Sequence, residues 1–422
     1  MGAVNTTVTA DPPTLGANYR RLWGSSAASN LADGIFFVAL PLMAARITDS
    51  PAAVALVAFA GRLPWLVFVL FAGALADRLD RRVTMRNVQW FRVLVLGALA
   101  VLAVADQVSL PLLVVVAFVL GVGETLFDTA AQSIVPNMVP RELLSRANGR
   151  LYAVEVTMNQ FVGPPLGGFL VAISVPLALG GSVAGYVVAA IGLVLVTGRF
   201  RPERTAPTSI LRDVRDGVSY LWRQSVIRTM ALITGVLNLT GMAVLAILVL
   251  FAVDPGPMGL SEVGYGVILT GGAVGAVLGS LIEARVEGSL GRSWTLLSMI
   301  GVMAVASVIP ALTTHAVPVT LSFVAIGAAG MIWNVITVSL RQRIAPDELL
   351  GRVNAGYRLF AWGTMALGAL LGGAIAELYG FEAVFWFAGV ATLVMLGFAP
   401  MLTDSRIDAA EAAGRASEAA GT

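Results

Sequence analysis

Long apolar runs alternate along the whole chain with short polar loops in which most of the arginines sit. A helix rises about 1.5 Å per residue, so about 20 apolar residues cross a hydrocarbon layer of about 30 Å. The pattern predicts twelve spans, over 21–47, 53–76, 84–105, 109–133, 149–173, 175–197, 229–252, 263–284, 293–313, 317–339, 355–377 and 381–402. The expected fold is all-α and integral to the membrane. The first twenty residues are polar and lack a short apolar core with a small-residue cleavage site, so no signal peptide is expected and the first span should be retained.

The spans fall into two sets of six. The segment "VPRELLSRANGRL" at 139–151 returns as "APDELLGRVNAGY" at 345–357, with Pro140, Glu142, Arg146 and Asn148 meeting Pro346, Glu348, Arg352 and Asn354 at an offset of 206. The same offset carries Gly73 onto Gly279, Asp77 onto Glu283 and Gly167 onto Gly373, and Asn30 meets Asn238 at 208. An even number of spans separates equivalent positions, so the two six-helix halves are parallel, and a site is expected near the midplane between them.

Composition agrees with the membrane reading: 57% of the residues are hydrophobic and 12% charged, against about 25% charged in a soluble domain. Every basic residue except the single histidine is an arginine. Apart from Arg46, Arg62 and Arg92, the arginines fall in alternate loops or in the first turn of the spans beside them, on the side of both termini, which the positive-inside rule makes cytoplasmic. The expected location is the cell inner (plasma) membrane, and the net charge of +2 reflects this topology without implying nucleic-acid binding. Absence of cysteine excludes disulfides and thiolate chemistry, and His315 in a short outer loop suggests no metal site. The expected organisation is an N-terminal half over 1–198, a cytoplasmic linker over 199–228, a C-terminal half over 229–402 and a disordered tail over 403–422. In the linker Ile210, Val214, Val218 and Leu221 share one helical face, which suits a helix lying on the membrane surface.

The stretch "GALADRLDRR" at 73–82 resembles the loop between the second and third helices of the major facilitator superfamily, matching at Gly73, Leu75, Ala76, Asp77, Arg78, Arg81 and Arg82. Asp80 replaces the second glycine of that pattern. The resemblance implies a latch between the halves, with Asp77 able to cap a neighbouring helix and the arginines able to bind carboxylates at helix ends. Asp128, near the inner end of span four, is expected to join this latch through Arg78 or Arg82. "GPPLGG", with Gly163, Pro164, Gly167 and Gly168, is similar to the fifth-helix motif of the superfamily's antiporters, with Asn159 where a further glycine is usual. Its glycines serve either packing alone or the direction of transport. Together with "SNLADGIFFVALPL" and "GRLPWLVF", these stretches resemble the proton-driven exporters of drugs, macrolides, tetracyclines and siderophores.

A carboxylate at the bilayer centre costs roughly 2.5–3.5 kcal/mol on insertion scales, so buried acids point to function. Asp33, Glu124, Asp128 and Glu155 meet Gly241, Gly330, Asn334 and Ala361 in the second half, so the ionisable groups concentrate in the first. Asp33 and Glu124 are the candidates for proton or cation handling in the cavity, with Arg62 beside them; the alternative for Asp33 is a structural ion pair with Arg62, about one helical turn away in depth. Asn30, Asn238 and Asn334 are candidate substrate contacts or interhelical hydrogen-bonders. Without lysine there is no phosphate-loop lysine, and no nucleophile set stands out, so an enzyme is not expected. The expected function is a secondary transporter without cofactors, a proton-coupled antiporter exporting small amphiphilic molecules and working as a monomer; the alternative is an importer or facilitator of a metabolite or lipid.

Overall fold

The computed structural model describes residues 15–68, 79–140, 143–198, 200 and 210–421. Among these, helices dominate and no strand occurs. The first half comprises α1 (Gly16–Ala45), α2 (Pro51–Val67), α3 (Arg81–Val104), α4 (Leu110–Ile134), α5 (Leu144–Val156), α6 (Gly163–Ile173) and α7 (Val175–Leu195). A π-helical turn, Thr157–Val162, joins α5 to α6, so these form one broken span. Pro164 and Pro165 open the continuing helix without N–H donors for the preceding turn, which accounts for the widened backbone there.

After α8 (Ile210–Arg223), the second half comprises α9 (Ser225–Ala252), α10 (Glu262–Leu290), α11 (Arg292–Leu312), α12 (Ala316–Ile344), α13 (Asp347–Tyr379) and α14 (Phe381–Val394), the last continued by a 3-10 turn over Met395–Met401. Among the described residues, eleven helical stretches are long and apolar enough to cross a membrane, and the 17-residue α2 is a shorter apolar twelfth. The sequence repeat is a repeat of structure: α4 shifted by 206 falls on α12, and α7 falls on α14 with its 3-10 extension. The twelve-span expectation therefore holds, with its fifth and twelfth members broken where proline interrupts the regular ladder.

The peripheral segments differ from expectation. In α8, Leu221 is buried in the core of the second half and Trp222 meets the Phe360 ring edge-on at 5.5 Å, so this helix docks on α13 rather than resting on a lipid surface alone. The tail expected to be disordered forms the helix α15 (Asp404–Gly421). Three acids recruit it to the start of α11: Arg292 pairs with Asp408 and, at 2.8 Å, with Glu411, and Asp404 accepts from the Ser293 amide at 3.1 Å. Ile407 is buried beneath them, so a low-complexity composition gains order from tertiary charge pairing.

The halves meet through α2 against α13, α6 against α10 and α1 against α9. Two sets of cross-half polar links lie at the end opposite the termini. There Arg46 pairs with Glu262, and Glu377 accepts from the Ser50 hydroxyl at 2.8 Å and from the Ala52 amide at 3.2 Å. Glu377 thus supplements the N-terminal cap of α2 from the other half, where a helix dipole favours negative charge. Gly373 makes this approach possible, since a Cβ there would stand 3.0 Å from the Pro51 carbonyl oxygen and overlap Ala55. Gly373→Leu is therefore expected to hold this end apart. In a Ser50→Cys/Glu377→Cys protein, which has no competing thiols, a short bifunctional thiol reagent should cross-link the parent and fail in the Gly373→Leu background; undiminished cross-linking would show that the close approach does not seat the halves.

Candidate functional site

The midplane of the first half is built on helix–helix approaches that only glycine permits. A Cβ on Gly163 would stand 2.6 Å from the Gly34 Cα, and one on Gly34 would stand 2.6 Å from the Asn159 carbonyl oxygen. Gly167 lies against the Ile35 backbone, while a Cβ on Gly168 would stand 2.6 Å from the Glu262 carbonyl oxygen in the other half. The "GPPLGG" stretch is therefore a seam with two faces, one holding α6 on α1 and the other holding it on α10. Close backbone approach of this kind supplies the packing that drives helix association in lipid.

α1 seated in this way carries Asp33 into the interior, where it meets α3 and α7. The Tyr186 hydroxyl donates to Asp33 at 2.6 Å, and Arg92 pairs with the same carboxylate oxygen at 3.4 Å. Arg92 is 1% exposed and lies over the rings of Phe127, at 5.7 Å, and Tyr186, at 5.2 Å. Its Nη1 also reaches the Ser29 hydroxyl at 3.5 Å, and Gln89 donates to that hydroxyl at 2.8 Å. Gly123 on α4 leaves the space for this guanidinium, since a Cβ there would stand 3.2 Å from Nε.

The second charge pair faces open space. Arg62 and Glu124 stand 3.7 Å apart with side chains 26% and 32% exposed, and Arg62 lies over the Phe37 ring at 5.9 Å. Asp33, Arg62, Glu124, Asn159 and Tyr186 line a chamber of about 120 Å³. Arg62, Asn159 and Phe37 also border a larger cavity of about 580 Å³, whose far wall belongs to the second half and includes Asn238, Asn334, Met303, Phe323 and Thr392. Arg62 is the only charged residue bordering the larger cavity among the described residues.

The structure changes the expected partnerships. Asp33 is joined to Arg92, not to Arg62, and Arg62 is joined to Glu124. Asn30 donates to the Ser26 carbonyl of its own helix at 2.8 Å. Asn238 makes an interhelical bond to the Ala361 carbonyl at 2.6 Å, while Asn334 is exposed to the larger cavity. Gly73, Asp77 and Arg78 of the expected latch lie outside the described residues. Arg81 donates to Asn137 at 3.0 Å, and Arg82 donates to the Leu193 and Val194 carbonyls at 3.0 and 2.8 Å, capping the end of α7. Asp128 belongs to the interior charge cluster with Glu124, Glu155, Asp33 and Arg92.

Asp80, the departure from the glycine pattern, is the N-cap of α3: it accepts from the Arg82 and Val83 amides at 3.0 and 3.2 Å and from the Phe200 amide at 3.1 Å. Sequence reasoning passed over Arg92 and Tyr186. An arginine inside an apolar span was a signal for the first, by the same cost argument that singled out the acids. Nothing local marked Tyr186, whose role depends on meeting α1.

Residues 9–420 match the family model of the transmembrane secretion effectors of the major facilitator superfamily. The chain belongs to that family. It is 29% identical over 377 residues to the multidrug efflux pump Tap of Mycolicibacterium fortuitum, covering 84% of this chain and 88% of that protein. It is 20% identical over 399 residues to macrolide efflux protein A of Streptococcus pyogenes, covering 91% and 96%. Among solved structures, a bacterial homologue of the iron transporter ferroportin superposes with a TM-score of 0.73 at 17% identity, over 92% of this chain and 98% of that one. The nucleoside transporter NupG superposes with a TM-score of 0.70 at 13% identity, over 92% and 99%. The fold is that of the superfamily, and the protein is a membrane transporter rather than an enzyme.

The glycine seam that builds the site gives a direct test. Gly163→Val forces a branched side chain against the Gly34 backbone and is expected to cost about 1–3 kcal/mol of stability, as overpacking does in tight cores. Thermal unfolding of purified protein in one detergent should show a lower midpoint, and an unchanged midpoint would mean that α6 can move off α1 freely.

Proposed function

We propose that this protein exports drugs or other small amphiphilic molecules across the cell membrane in exchange for protons, by alternating access between its two halves. The observation that carries this reading is the divided cavity. One wall presents the Arg62–Glu124 pair and the Asp33 carboxylate, and the opposite half presents asparagine, threonine, methionine and phenylalanine. Such a space offers apolar contact to a molecule's body and exchangeable charge to a proton or a cationic group. The efflux relatives support export as the direction and drugs as the cargo.

Coupling needs a site whose occupancy changes which conformation is favoured. The chamber carboxylates Glu124 and Asp33 are the candidates for it, Glu124 beside Arg62 and Asp33 beside Arg92. With the cavity open to the outside, the gradient loads a proton; with it open to the inside, rehydration, Arg62 or a cationic substrate favours release. The links Arg46–Glu262 and Glu377–Ser50 join the halves at the end opposite the termini, which we assign to the outside, and must part for the cavity to open there. The arginine-rich loops support placing both termini in the cytoplasm.

Cells expressing the protein should tolerate higher concentrations of several antibiotics than cells without it, and should lose the difference when the proton gradient is collapsed. Glu124→Gln should reduce tolerance to that of cells without the transporter at equal expression, whereas undiminished export by that variant would sink the coupling assignment. Orientation is tested separately: an impermeant thiol reagent added to intact cells should label Thr313→Cys and spare Ser289→Cys, and the reverse pattern would invert the topology.

A further inference from the structure

The two charge pairs are built differently, and the difference divides their labour. Asp33 is held by a short hydrogen bond from Tyr186 and by Arg92, which is closed in by two aromatic rings and by α4. Arg92 cannot leave without vacating a cavity shaped around it, nor can it lose its charge, because guanidinium stays protonated in proteins. Its Nε is buried with no hydrogen-bond partner among the described residues, so its charge rests heavily on the Asp33 contact. Removing one member of a buried pair is far costlier than the pair itself is favourable. The Arg62–Glu124 pair is longer and partly exposed, with both members lining the smaller chamber and Arg62 also bordering the larger cavity, so each can exchange its partner for water, a proton or a substrate.

We propose that Arg92 is a positioning residue which, with Tyr186, keeps Asp33 as a fixed internal anion and thereby leaves Glu124 as the chamber-lining carboxylate that exchanges a proton. The inference deepens the antiport reading and rests on it for its function, though not for its test. Around Glu124 stand Arg62 on α2, Asp33 on α1, Arg92 on α3 and Asp128 on its own helix, with Glu155 of α5 near Asp128 and Tyr186 of α7 on Asp33. Asp33, Glu124 and Asp128 thus share two guanidiniums within one half. With Arg92 committed to Asp33, uptake of a proton by Glu124 frees Arg62, the cation that borders the substrate compartment. Arg62 would then be available to an acceptor on the cargo or to the solvated cavity, which links the protonation of one residue to the charge presented to the other half.

Infrared titration of the purified protein in lipid reads protonated carboxyl groups directly, whether or not transport is coupled to protons. The parent should show a titrating carboxyl band of which Glu124→Gln removes a component and Asp33→Asn removes none. Arg92→Gln should add a component that the double variant Arg92→Gln/Asp33→Asn lacks, since freeing Asp33 from its cation makes it a proton acceptor. Tyr186→Phe keeps the ring against Arg92 and deletes only the hydroxyl; it should add the same component displaced in pH, and it decides the matter should Arg92→Gln fail to fold. Loss of a component in Asp33→Asn alone, or no added component in Tyr186→Phe, overturns the assignment. Absence of pH-linked transport in the parent would instead overturn the antiport reading and leave this result standing.

Discussion

Hydrocarbon offers no hydrogen bonds, and that constraint governs the rest of this structure. Every backbone group within the membrane must be satisfied inside its own segment, which explains why the spans are helical and why their breaks among the described residues are themselves helical turns, the π turn at Thr157–Val162 and the 3-10 turn at Met395–Met401. The same constraint acts on side chains. Arg92 is 1% exposed in the middle of a span, and it is tolerated because Asp33, Ser29 and the faces of Phe127 and Tyr186 surround it. Those partners come from α1, α4 and α7, so the charge pair requires the first half to be assembled before it can exist.

Glycine does much of the assembling. Gly34 against Gly163, Gly167 against Ile35 and Gly373 against the start of α2 bring backbones to distances that any side chain would prevent. In α10, Gly271, Gly275 and Gly279 likewise lie against Thr320, Val324 and Ala328 of α12, one turn apart on each helix. Packing is the main attraction available between helices in lipid, and small residues raise it by closing the gap. Gly168 and Gly373 place some of these contacts between the halves, where they must part and re-form if access alternates.

The duplication has been put to unequal use. Both halves keep the six-helix scaffold, but the interior carboxylates belong to the first, while the second lines the larger cavity with Asn238, Asn334, Met303 and Phe323. Concentrating charge in one half lets the acids and guanidiniums compensate one another at short range. A second wall that carries no charge among the described residues leaves space for apolar cargo without a further desolvation cost.

Much of this was legible without coordinates. The number and order of the spans, the parallel repeat, the interior acids and the glycine stretch as a candidate packing site all rest on local length, composition and spacing, which a helix translates directly into depth along its axis. Depth put Asp33 and Arg62 about one helical turn apart, among other charges in neighbouring spans. It could not say which of them touch, because each residue turns the helix by about 100° and the rotation of one helix against its neighbours is set by packing. The pairing of Asp33 with Arg92 and Tyr186, and of Arg62 with Glu124, was therefore a tertiary decision. So was the ordering of α15, whose alanine-rich composition suggested no structure until Arg292 supplied partners for Asp408 and Glu411. Sequence determines how far along the membrane normal a charge lies, and only the folded bundle determines which way it faces.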